Sequence, residues 1–224
     1  MQSFIQAKQS RLDKEDDFHP VIKWAARIIS VVFHPLFIPV YLILFYIHIS
    51  PAAPFLDSWQ KLRLSLSATI MYTVFPLVTI LLAKALGFVK SIFLRSQKDR
   101  IIPYISCGLY YFWMWYVLRN QPEFPRELVL LSFAIFVASS GGLIANSFFK
   151  ISMHSIAAGV MCTFIYLLAV RTDANYGFYI SLALLFSGLV CTCRLINSDH
   201  DQREVYAGFF LGMVAQLFAY WVVF

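Results

Sequence analysis

Charge is what this chain has least of. Only 13% of its 224 residues are Asp, Glu, Lys or Arg, 60% are hydrophobic, and the mean hydropathy is +0.70. A soluble domain carries roughly 25% charge, so the composition excludes an ordinary soluble fold and predicts one compact membrane bundle. No cleavable leader is expected: residues 1–27 are polar and mixed in charge, and the first apolar segment would serve as the insertion signal. Alternating apolar and polar strands are missing, which excludes a β-barrel. No internal repeat is visible, which leaves an inverted-repeat transporter without support. Cysteine is scarce too. Cys107, Cys162, Cys191 and Cys193 all lie within or at the end of apolar runs, and no second pair or His cluster completes Cys191-Thr192-Cys193 into a metal or redox site. They read as small packing residues. The net charge of +6 is spread over connecting loops, which suits anionic lipid headgroups rather than nucleic acid.

Seven apolar runs approach the roughly 20 residues a helix needs to cross hydrocarbon: Ile28–Ile49, Leu64–Ala83, Ile101–Leu118, Leu128–Phe149, Ile151–Val170, Tyr176–Cys193 and Val205–Phe224. The expected fold is all-α, a polytopic transmembrane bundle of six to seven spans. Residues 1–27 form a polar tail, 28–86 two N-terminal membrane segments, and 87–224 a helical core. The first run holds Pro35 and Pro39, which should kink it or make it re-entrant, and Pro76 should bend the second more mildly. Pro51-Ala52-Ala53-Pro54 and Gln121-Pro122-Glu123-Phe124-Pro125 read as breakers. Tyr110, Tyr111, Trp113, Trp115 and Tyr116 load the third run with aromatics, as an interfacial belt or a groove for a lipid tail.

Three polar clusters stand at run ends: residues 95–103, with Lys98 and Arg100; residues 150–154, with Ser152 and His154; and residues 194–204, with Arg194, His200 and Glu204. Two spans separate each cluster from the next, so all three face one side of the membrane. Pooled, they make a catalytic inventory. Cations and a hydroxyl can grip phosphate oxygens, Arg by a forked pair of bonds, and helix N-termini favour an anion. Two histidines can divide the work of nucleophile and proton donor. A carboxylate one turn after His200 can hold its ring.

These residues resemble the type 2 phosphatidic acid phosphatase superfamily, which includes the vanadium haloperoxidases. Its third motif reads Ser-Arg, five residues, His, three residues, Asp. Arg194 and His200 keep that spacing, with Cys193 for the Ser and Glu204 for the Asp. Ile151-Ser152-Met153-His154 is similar to the second motif, Pro-Ser-Gly-His, and Lys98, Arg100 and Pro103 stand where a degraded first motif would be. Val205-Tyr206-Ala207-Gly208 looks like the opening of the family's last helix, and the likeness covers roughly residues 90–212.

The resemblance implies a metal-independent phosphatase, with no cofactor, acting on a lipid phosphate or diphosphate. His200 would be the nucleophile, His154 the proton donor and Glu204 the group that orients His200. Lys98, Arg100, Ser152 and Arg194 would bind the phosphoryl oxygens. A lipid phosphotransferase and a catalytically silent lipid-binding or scaffold relative are the alternatives. The expected compartment is a bacterial plasma membrane. Most of the 18 Lys and Arg fall on the side of the N-terminus and the clusters, against Lys61, Arg63, Arg119, Arg126 and Arg171 opposite. That bias favours a cytoplasmic site, whereas the resemblance implies an outward one.

Overall fold

In an apolar medium each backbone N–H and C=O must be satisfied within its own segment, and runs of Leu, Ile, Phe and Ala achieve that as helices. The computed structural model describes residues 18–89, 97–197 and 200–224, apart from the side chains of residues 97 and 98. The helices are α1 (Pro20–Val32), α2 (Ile38–His48), α3 (Ser58–Thr69), a π turn (Ile70–Val74), α4 (Phe75–Ala85), α5 (Gln97–Arg119), α6 (Arg126–Asn146), α7 (Met153–Arg171), α8 (Gly177–Ile196) and α9 (Gln202–Val223). No strand occurs among the described residues. Six stretches are long and apolar enough to cross a membrane: Ser58–Ala85 as one 28-residue helix, Asp99–Arg119, and the whole of α6, α7, α8 and α9. The protein is an integral membrane protein with an all-α bundle fold.

The first apolar run does not form a continuous helix. α1 stops at Val32 and α2 begins at Ile38. Pro35 has no N–H for the Val31 carbonyl, which is taken instead by the N–H of His34 at 3.3 Å. Pro39 falls in the first turn of α2, where a missing N–H is harmless. The broken run nevertheless travels the length of the bundle. At one end, Asn197 just past α8 donates to Ser30 Oγ at 3.3 Å. At the other, Tyr46 donates to Glu127 at the start of α6 (3.1 Å), and Ser50 lies 2.5 Å from the hydroxyl of Tyr176 at the start of α8.

Pro76 also acts, though as a change of winding rather than a break. The ladder widens to a π turn over Ile70–Val74, immediately before the proline removes a donor. The re-spaced turn directs Thr73 to the Leu36 carbonyl (2.8 Å) and Tyr72 to Ser132 (2.9 Å). The aromatics of α5 divide between roles. Trp113 and Tyr116 are exposed, while Tyr111 is buried beside Tyr72, with ring centroids 5.3 Å apart.

α7 is the most buried of the spanning helices, and α9 lies against its backbone. Glycines make that approach possible. A Cβ on Gly159 would stand 2.1 Å from the Phe209 carbonyl oxygen, and one on Gly212 2.1 Å from that of Ile156. Small residues at four-residue spacing allow such contact in membranes. The approach also fixes where two histidines stand, because α7 begins beside His154 and α9 beside His200.

Candidate active site

The three polar clusters meet. Arg100 from α5, Lys150 and His154 from the start of α7, and Arg194 and His200 from the end of α8 and the turn after it line one cavity of about 960 Å³. Arg27, Ser30, His34 and Asn197 complete its polar end. The rest of the wall is mostly apolar, with Leu36 and Leu42 from the broken run, Leu77 and Leu81 of α4, Cys107 of α5 and Ile135 of α6, and with Tyr104, Tyr111 and Ser139 among them. Leu77, Leu81 and Val31 on this wall are also exposed. Among the described residues, none that lines the cavity is acidic. Arg27, Arg100, Lys150 and Arg194 concentrate positive charge at the polar end, which suits an anion, and the apolar arm suits a hydrocarbon chain.

His200 sits just before α9, with a side chain 2% exposed. Its Nδ1 lies 2.8 Å from Glu204 Oε2. A carboxylate accepts, so Nδ1 carries the proton and Nε2 keeps the lone pair. Glu204 is fixed in turn by the start of α9. Its N–H donates to Asp201 Oδ1 (2.9 Å), and its Oε2 also accepts the Asp201 N–H (3.3 Å), a reciprocal cap. Burial pushes the His200 pKa below its ordinary value of 6.5; the Glu204 hydrogen bond opposes this, while Arg194, Arg100 and Lys150 add to the lowering. These surroundings favour the neutral ring, whose Nε2 lone pair is chemically able to act as a nucleophile.

His154 opens α7. Its Nε2 lies 3.0 Å from the Ser30 carbonyl oxygen, and its ring meets that of His34 edge-on, centroids 5.2 Å apart. Arg100 is buried and donates to the Ile151 carbonyl at 2.8 Å, which ties α5 to the start of α7. A backbone bond from Ser152 N–H to the Glu204 carbonyl (3.3 Å) joins the two histidine-bearing stretches.

Ser152 departs from the expected phosphate ligand. It caps α7: fully buried, its Oγ accepts from the Ser155 N–H (3.4 Å) and hydroxyl (3.0 Å), and it is not among the residues lining the cavity. The side chain of Lys98 lies outside the described residues. Glu204 stands behind His200 rather than on the cavity wall, which suits an orienting group. Sequence reasoning missed Arg27, Ser30 and His34. The available signal was the histidine directly before a helix-breaking proline in Phe33-His34-Pro35, a polar group at the point where a membrane helix must open.

Compared with known proteins, the chain matches no protein-family model, no curated protein and no solved structure.

Proposed function

We propose that the protein is a membrane phosphatase that hydrolyses a lipid phosphate or diphosphate through a phosphohistidine. The observation that carries this reading is the pairing of His200 and Glu204 at the wall of a cavity with four cations at one end and a hydrocarbon arm at the other. In the proposed reaction, His200 Nε2 attacks phosphorus in line, while Arg100, Arg194, Lys150 and Arg27 take up charge on the phosphoryl oxygens. His154 protonates the departing oxygen, and water then cleaves the phosphohistidine. The exposed flank at Leu77, Leu81 and Val31 supports a substrate that enters sideways with its chain still among lipids.

One observation favours a second reading, a catalytically silent lipid-binding relative: Ser152 is turned into its own helix cap rather than toward the cavity. Purified protein should be assayed for phosphate release against lipid mono- and diphosphates, alongside His200→Ala. The enzyme reading requires turnover that His200→Ala removes while lipid binding persists. Binding without turnover in both proteins would establish the silent relative instead.

A further inference from the structure

The stretch from Ser30 to His34 belongs to none of the three polar clusters, yet it closes on His154. The break at Pro35 makes this possible. In an unbroken helix the Ser30 carbonyl would accept the N–H of residue 34, but that N–H goes to Val31. The freed carbonyl accepts from His154 Nε2 at 3.0 Å instead. Because a carbonyl only accepts, Nε2 carries a proton at every charge state of the ring, and Nδ1 is the nitrogen that gains and loses one.

His34 limits how that ring can turn. It packs edge-on against His154 and is itself held, since its Nδ1 accepts the Leu36 N–H at 3.3 Å. The turn is fastened from two further sides. Thr73 in the π turn donates to the Leu36 carbonyl at 2.8 Å, and Asn197 donates to Ser30 Oγ at 3.3 Å. Three separate parts of the fold thus converge on the placement of one imidazole. Helix capping explains none of them, because His154 lies past the cap of its own helix.

We infer that His34 and the Ser30 carbonyl are positioning groups that hold His154 in its Nε2–H form and leave Nδ1 to exchange protons in the cavity. The reaction served rests on the phosphatase reading, but the tautomer does not. In that reaction, His154, neutral in the resting protein, takes up a proton at Nδ1 beside the bound anionic phosphoryl group, and that proton passes to the leaving oxygen as the P–O bond breaks and its electron pair stays on that oxygen. Neutral His154 keeps Nε2–H on Ser30. Nδ1 then takes a proton from the water that cleaves the phosphohistidine, restoring the imidazolium.

The test separates ring from turn. His34→Asn keeps a side-chain acceptor for the Leu36 N–H and removes the ring; His34→Phe keeps a ring and removes the acceptor. Nitrogen NMR of histidine-labelled protein in detergent, with His154 assigned through His154→Gln, should show a single Nε2–H form in the parent and in His34→Phe. His34→Asn should give a mixture. With a lipid alkyl phosphate, His34→Asn should lower kcat by about tenfold or more, a fraction of what general acid catalysis contributes. With p-nitrophenyl phosphate, whose leaving group needs little protonation, kcat should stay within about twofold. An unchanged His154 spectrum in His34→Asn, or equal loss on both substrates, overturns the inference. If His34→Asn does not fold, Thr73→Val must produce the same mixing of His154 forms in milder degree, and an unmixed spectrum there also overturns it. Absence of phosphate release from the parent protein would defeat the phosphatase reading and leave the NMR result standing by itself.

Discussion

At the scale of single residues, the surroundings of His200 favour the neutral ring. Its proton sits on Nδ1, bound to Glu204, and burial opposes adding another. On the proposed phosphatase reading, His200→Ala should therefore lower phosphate release by orders of magnitude without unfolding the bundle. Retention of more than about a tenth of the activity, only ~1.4 kcal/mol in barrier terms, would rule out nucleophilic catalysis there. The pH dependence has a definite sign. A nucleophile must be unprotonated, and a lowered pKa keeps it so in more acidic solution, so the acid limb of kcat/KM should inflect below 6.5. Glu204→Gln removes the opposing carboxylate charge and should move that limb lower still while reducing kcat. Ser152 gives the contrast. As a cap outside the cavity wall, its replacement by Ala should cost about 1 kcal/mol of stability, read as a lower thermal midpoint, while kcat falls by less than about threefold.

Spacing made some of this legible in the sequence. Arg194, His200 and Glu204 lie within one short stretch, and the i,i+4 relation that lets Glu204 meet His200 needs only a helix start. Arg27, Ser30 and His34 were not legible because Ser30 and His34 reach His154, and Arg27 the same cavity, across more than a hundred residues of chain. A broken helix carries no periodicity that reports where its freed carbonyl points.

At the scale of elements, the site depends on how closely α9 approaches α7. Gly159 and Gly212 are the contact, each with a carbonyl oxygen 2.1 Å from where a Cβ would stand. Gly159→Ala or Gly212→Ala should force the helices apart, at a cost of about 1–3 kcal/mol from overpacking. It should also reduce kcat, because the Ser152 N–H to Glu204 carbonyl bond spans the same junction. Gly188→Ala is the control: no atom lies within 4 Å of its Cβ position, so stability and activity should hold. Thermal unfolding in detergent, followed beside phosphate release, separates the two outcomes. The six spanning stretches could be read approximately from apolar run length, which predicted six to seven spans, although bounds such as Ser58 for the run at Leu64 could not. What the prolines would do could not. Pro35 breaks its helix, whereas Pro76 is absorbed by a π turn, and the difference lies in Thr73 and Tyr72, which find partners on other segments.

At the scale of the whole molecule, the broken run decides what a topology test will mean. The described start of the chain and the cavity's polar end belong to the same end of the bundle, because Ser30 touches both His154 and Asn197 there. The charge bias thus speaks directly to the face of the site. Its weight is uneven, however. Arg27, Arg100, Lys150 and Arg194 line the cavity and have another reason to be charged. Without them, the described basic residues of the site end are Lys23, Lys84 and Arg203, against Lys61, Arg63, Arg119, Arg126 and Arg171 opposite. The surplus then rests on Lys8, Arg11, Lys14, Lys90, Arg95 and Lys98, which flank the membrane segments closely enough to be read during insertion. That count predicts a cytoplasmic site end. The measurement is cysteine labelling in intact cells, with Cys107, Cys162, Cys191 and Cys193 replaced. Gln202→Cys, exposed at the site end, should resist an impermeant maleimide until the membrane is opened, and Asp173→Cys, exposed at the opposite end, should react at once. The reverse pattern would put the cavity on the outer face. It would also mean that the basic residues of 1–17 and 90–98 do not set the topology, since the start of the chain would be outside as well.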